Sequence, residues 1–292
     1  MSKLKQFYEK KYKTLLIIPF LLLLFTFVQI GVQYSMTGDF VNKGISLKGG
    51  SMITFTDTSI DHIKLGSSLS SKFSQADINV RTLSSAGKIV AIVVESDAQE
   101  TDEINSLLTA IKSETKLTDQ ELNVEIIGSS LGESFFKQTA VALLIAFLLM
   151  GIVVLIYFRS LVPSLAVILA AFSDIVVTLA IFNLTGLKLG TAGIAAFLML
   201  IGYSVDTDIL LSTRVLKRKE ITIMDGVYSA LKTGLTMSAT TIIVVLVGLI
   251  FVQSDIVKQI MVILFIGLLV DLVMTWIQNV CILRLYLERK RK

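Results

Sequence analysis

Six apolar runs, each long enough to cross a bilayer, dominate the pattern of the chain: residues 15–32, 140–158, 163–184, 189–211, 235–252 and 256–285. Only a helix satisfies its own backbone within lipid, so these runs predict six transmembrane helices. Between the first and second runs, residues 35–137 mix polar and apolar positions and hold no stretch long enough to span. They are expected to form a small domain in water. Strand patterning falls at 51–55, 79–83, 89–94 and 123–127, and helical periodicity at 60–73 and 102–112. In the second helix Ile104, Leu107, Leu108 and Ile111 recur at i, i+3, i+4 and i+7, with Thr101 or Asp102 placed to cap it. The order β-α-β-β-α-β predicts a ferredoxin-like α+β sandwich. The fold expected is a polytopic α-helical membrane protein of six transmembrane helices with an α+β domain between helices 1 and 2. Its divisions are residues 1–34, 35–137, 138–287 and a basic tail at 288–292.

Composition sharpens this picture. With 53% hydrophobic and 17% charged residues, and a mean hydropathy of +0.76, the chain is too apolar to hide in one soluble core. The net charge of +4 matters less than where the basic residues lie. Lys3, Lys5, Lys10, Lys11 and Lys13 precede the first run, Arg214, Lys217, Arg218 and Lys219 follow the fourth, and Arg284, Arg289, Lys290, Arg291 and Lys292 close the chain. This positive-inside pattern predicts cytoplasmic termini in the cell membrane, with residues 35–137 outside. The tail is read as an anchor against membrane lipid, with no nucleic acid as partner. The first run is longer than a signal h-region and is followed by no A-x-A site, so it is read as an uncleaved helix. The single cysteine, Cys281, builds no disulfide framework or Cys-based metal site within the chain, and the lone histidine, His62, is read as a surface residue. Neither a metal nor a cofactor is expected. Gly49-Gly50 lacks phosphate-loop spacing and is expected to form a tight turn into the next strand.

The informative residues are those that cost energy in lipid. An aspartate at mid-membrane is disfavoured by about 2.5–3.5 kcal/mol, and four occur: Asp174, Asp206, Asp208 and Asp271. In the sixth run Gly267, Asp271, Thr275 and Gln278 share one helix face, which cannot point at lipid. In the fifth, Lys232, Thr236 and Thr240 form a second stripe, and a bundle with a polar seam follows. Residues 206 and 208 lie about 200° apart on a helix, so both cannot face one seam. Asp206 shares its face with Gly202 and Tyr203, so it is expected to be the protonatable centre, with Lys232 and Asp174 as neighbours and Asp208 on the opposite side. Asp271 and Asp208 remain candidates for the relay, and Arg214 is read as a topology determinant.

The stretch Gly202-Tyr203-Ser204-Val205-Asp206-Thr207-Asp208, followed by Arg214, resembles the fourth-helix motif of the SecF family, the protein-export subunits that pair with SecD. Lys48-Gly49-Gly50, GSSLG at 128–132 and AAFSDIVVT at 170–178 agree with it, and Lys232-Thr233-Gly234 with Thr240-Thr241 looks like the archaeal form. In bacterial relatives the fourth-helix acid falls at the position of Thr207, flanked here by Asp206 and Asp208, and a fifth-helix Arg is matched by Lys232 or Thr233. The resemblance implies an RND-superfamily half that pairs with SecD, joins a SecYEG-type channel and uses the proton motive force to help move secreted polypeptides across the membrane. Its implied role is not enzymatic.

Two rivals remain on the sequence. One is half of an RND-type transporter for small molecules or lipids, whose outer domains are usually larger. The other is an intramembrane aspartyl protease, against which stands the absence of a G-x-G-D motif: Asp271 follows Gly267-Leu268-Leu269-Val270.

Overall fold

The computed structural model describes residues 8–57, 60–85, 88–115, 117–118, 121–216, 222–252 and 254–290. Lys217, Arg218, Lys219, Arg291 and Lys292 therefore lie outside the described residues, as do Lys3 and Lys5.

Six helical stretches are long and apolar enough to cross a membrane: Tyr12–Thr37, Ser129–Phe158, Leu161–Leu184, Thr191–Leu216, Ile223–Phe251 and Asp255–Lys290. The first is a turn, Tyr12–Leu15, followed by α1, Ile17–Thr37, and Gly38 ends it in the left-handed conformation at φ 75°. The others are α5 (Ser129–Phe158), α6 (Leu161–Leu184), α7 (Thr191–Leu216), α8 (Ile223–Phe251) and α9 (Asp255–Val273). After α9 the sixth span continues as a π-helix, Met274–Asn279, and then α10, Val280–Lys290. Helices α6, α7 and α9 form the centre, where Ala170, Ala171, Ala196 and Leu200 are fully buried. Helices α1, α5 and α8 lie outside and show broad apolar faces, with Leu24, Leu148, Ile152 and Val244 all more than half exposed. That distribution suits lipid as solvent.

Between α1 and α5 lie α2 (Ile45–Lys48), β1 (Gly50–Phe55), α3 (His62–Lys72), β2 (Asn79–Ser85), β3 (Lys88–Ser96), α4 (Thr101–Thr115) and β4 (Leu122–Ile127). The strands form one antiparallel sheet in the order β2-β3-β1-β4, and from β1 onward the element order is β-α-β-β-α-β. Asp61 starts α3 by accepting from the amides of Ile63 and Lys64. One face of α3 and of α4 buries Leu65, Leu69, Leu107 and Ile111 against Ile53, Phe55, Ile92 and Val94 of the sheet.

Two spans begin well before their apolar runs, and one expectation needs correction. Helix α5 begins at Ser129 rather than at 140, and Phe136 packs onto the cluster of Val41, Leu47 and Leu189. The apolar count alone missed this helical entry because its first turns are polar. The fifth helix likewise starts at Ile223 instead of 235, capped by Thr222 accepting from the Asp225 amide. Finally, the Lys232, Thr236 and Thr240 stripe is exposed, with both hydroxyls bonded to their own helix's carbonyls. The face that α8 buries carries Gly226, Ala230, Gly234 and Ser238.

Gly49 and Gly50 make the turn into β1 at φ 90° and 144°. A Cβ on Gly49 would lie 2.5 Å from Cα of Ser129, and one on Gly132 would lie 2.8 Å from the Gly49 amide nitrogen. Two backbones thus meet where the outer domain rests on α5.

Candidate functional site

Three of the four predicted acids come together. Asp174 on α6, Asp208 on α7 and Asp271 on α9 are all completely buried where the central helices meet. Ser204 donates to Asp174 at 2.5 Å, Thr275 to Asp271 at 3.0 Å, and the Asn279 amide to Asp208 at 2.7 Å. The three acids are near enough for their charges to act on one another. Gln278 extends the network by donating to Ser173 at 3.2 Å. The face read from the sixth run, Gly267, Asp271, Thr275 and Gln278, is buried along its length.

Each acid keeps one oxygen without a donor among the described residues: Oδ1 of Asp174, Oδ2 of Asp208 and Oδ2 of Asp271. Nor does any of the three belong to an ion pair among those residues. An uncompensated buried carboxylate is costly, and a proton on the carboxyl removes that charge. The π-helix matters here, because its wider turn lies directly after Asp271 and carries Thr275, Gln278 and Asn279.

Asp206 is elsewhere. The buried stripe of α7 runs through Ser204, Asp208 and Ser212, and Asp206 points away from it and is exposed. The two acids do face opposite ways, as the spacing requires, but the assignment of the bundle's seam to Asp206 is corrected. That seam belongs to Asp208, whose four-residue spacing from two serines was the available sign. Asp206 and Lys232 form no ion pair with each other among the described residues. The exposed face of α7 carries Leu198, Met199, Gly202 and Asp206, and nothing lies within 4 Å of a Cβ built on Gly202. Tyr203 bonds Ser238 of α8 at 2.9 Å. Arg214 reaches Ser229 at 2.6 Å and Thr233 at 3.3 Å, so beyond its charge it ties α7 to α8.

The central helices connect to the outer domain through the short loop between α6 and α7. Gln259 of α9 grips this loop twice, donating to the Lys188 carbonyl and accepting from the Gly190 amide. Lys188 in turn pairs with Asp77, which also takes Lys48 at 3.3 Å. Partial burial pushes the Asp77 carboxyl up, but the bond and charge of Lys188, helped by Lys48, outweigh it and leave the group below its ordinary value. A depressed carboxylate contributes its stability above that ordinary value, and the contribution is lost as pH falls beneath it. Asp255 at the start of α9 adds a second tie by accepting from the Thr82 amide at 3.0 Å. The sequence marked neither Gln259 nor Asp77, because their partners lie far away along the chain.

Comparison with known proteins bears on this geometry. The profile of the SecD/SecF protein-export membrane protein C-terminal family matches residues 107–289. The protein-export membrane protein SecF of Pyrococcus furiosus is 39% identical over 289 residues, covering 99% of this chain and 96% of that protein. SecF of Methanocaldococcus jannaschii is 37% identical over 288 residues, covering 97% and 98%. Among solved structures, SecDF of Thermus thermophilus, described as a translocon-associated membrane protein, aligns with a TM-score of 0.71 at 20% identity. This chain is 97% covered in that alignment and spans 39% of the SecDF chain.

Proposed function

The chain belongs to the SecF family of protein-export membrane proteins, and from that premise we propose that it pairs with a SecD partner and couples proton movement to polypeptide export. The observation that carries this reading is the buried trio of Asp174, Asp208 and Asp271, three acids on three central helices with no ion-pair partner among the described residues. Polar groups of that kind inside membrane helices mark ion and proton pathways. In the proposed cycle, a proton binds one carboxylate of the trio, removes one of its negative charges and so weakens the repulsion among the acids, which lets α6, α7 and α9 close together. Loss of the proton restores repulsion and separates them. The movement reaches the outer domain through Gln259, Lys188 and Asp77. The work is mechanical assistance to translocation rather than catalysis.

The exposed face of α7 supports the pairing. An acid facing lipid there would cost about 2.5–3.5 kcal/mol, whereas a facing partner helix can rest on Gly202 and supply a polar group to Asp206. We assign that face, with Lys232 on the neighbouring helix, to the SecD contact, and the assembly to a SecYEG-type channel. The test is export of a secreted polypeptide into vesicles holding channel, partner and this chain. A protonophore should remove the stimulation, and omission of SecD should do the same; stimulation that survives both would refute the coupling.

The orientation follows from the positive-inside pattern: termini in the cytoplasm, residues 35–137 outside the cell membrane. Cys281 is buried, so new cysteines can be read against a silent background. Ile63→Cys, on an exposed position of α3, should react with an impermeant maleimide in intact cells and Lys290→Cys should not. The opposite pattern would invert the topology.

A further inference from the structure

The π-helical turn beside the carboxyl trio passes over one of its own backbone groups. In an α-helix the Val280 amide would close on the carbonyl of Trp276, four residues back. Here it bonds the carbonyls of Thr275 and Ile277 instead. Trp276 is buried, and a carbonyl left there without a donor is costly. The donor comes from the other end of the chain: the Tyr8 hydroxyl donates to the Trp276 carbonyl at 2.5 Å.

The segment that delivers this hydroxyl is fastened at several points. Tyr228 of α8 donates to the Glu9 carboxylate at 3.0 Å, and Arg284 of α10 donates to the Glu9 carbonyl at 2.8 Å. The Cys281 thiol donates to the Tyr12 carbonyl at 3.2 Å, and the Arg284 guanidinium lies 4.0 Å from the centre of the Tyr12 ring. Residues 8–12 are thereby strapped across α8 and α10, with Tyr8 packed on the cluster of Val227, Trp276 and Val280. The turn they support carries Thr275 and Asn279, the donors to Asp271 and Asp208. A return of residues 274–279 to the tighter α-register, in which the Val280 amide takes the Trp276 carbonyl, would change the angle between Thr275 and Asn279 about the helix axis. Their alignment with the two acids would change with it.

We infer that Tyr8 is a positioning residue for the carboxyl trio: its hydroxyl holds the π-turn, and the π-turn holds Thr275 on Asp271 and Asn279 on Asp208. The inference rests on the proton coupling proposed above and adds to it a part for the segment that precedes the first span. Trp276 is the only tryptophan of the chain, so an isotope label on the tryptophan carbonyl carbon marks this one group by NMR. In the full chain, Tyr8→Phe is expected to shift that resonance. In vesicles with SecD and the channel it should remove most of the gradient-stimulated export and leave export without a gradient unchanged. Tyr12→Phe, which takes from the same segment its bond to Glu288, should change neither. An unmoved resonance in Tyr8→Phe, a moved resonance with a full gradient response, or equal losses in the two variants would overturn the inference. If the parent protein itself ignores the gradient, the proton coupling fails and the resonance alone decides: moved in Tyr8→Phe and not in Tyr12→Phe, the hold of Tyr8 on the π-turn stands, and otherwise it falls.

Discussion

Asp271→Asn is expected to abolish the gradient-stimulated part of export while leaving the protein folded. The side chain is fully buried, accepts from Thr275 at 3.0 Å, and keeps its other oxygen without a donor. Asparagine preserves size and can keep the Thr275 bond, but it places a permanent N–H donor where the acid can offer one only when protonated. The variant therefore imitates one end of the cycle and cannot leave it. A buried acceptor without a donor costs about 1–3 kcal/mol, and the substitution removes that acceptor together with its charge, so the melting temperature in detergent should hold or rise. Export without a gradient should match the parent protein. Asp174→Asn, near enough to Asp271 for their charges to interact, should behave alike, and the double variant should add little because both act as one unit. A full gradient response in Asp271→Asn would remove this acid from the relay. A collapsed fold would make its role structural.

Gly49→Ala should strongly lower stability. At φ 90° and ψ 164° this residue occupies a region essentially reserved for glycine, at a cost of about 1–3 kcal/mol for other residues. The new methyl would also sit 2.5 Å from Cα of Ser129 and 2.7 Å from its nitrogen, both backbone atoms that cannot rotate away. Strain and overlap act together, and overpacking alone typically costs about 1–3 kcal/mol. The expected result is a clearly lower melting temperature and faster proteolysis between the outer domain and α5. Gly128→Ala serves as the control, because a Cβ there has only the Ser130 hydroxyl near 3.9 Å. Equal melting of the two variants would show that the close contact of α2 with α5 is not what fixes the outer domain.

The six spans and the sequence of strands and helices between the first two were legible because each rests on a local signal: unbroken apolar length for the spans, alternation and turn spacing for the strands. Candidate acids were legible too, since aspartate in an apolar run announces itself. Orientation was harder. Asp206 and Asp208 both sit in the same apolar run, and which one turns inward depends on how α7 packs, with Leu200 filling the notch left by Gly267 of α9. The i, i+4 serines around Asp208 carried that information, but the small residue beside Asp206 pointed equally to a helix contact, and that contact belongs to a face this chain leaves open. The π-helix gave no sequence sign, and neither did the grip of Gln259 on the α6–α7 loop, a pairing of residues far apart in the chain.

The proposed coupling places the proton on the buried trio and not on the open face of α7. The most direct measurement compares Asp208→Asn with Asp206→Asn in the same vesicles, recording export with and without the gradient and the amount of SecD retained on purification. Asp208→Asn is expected to lose the gradient response and keep SecD, whereas Asp206→Asn should loosen SecD and retain a response in proportion to the partner that remains. A normal gradient response in Asp208→Asn, with the response abolished in Asp206→Asn at full SecD occupancy, would contradict it.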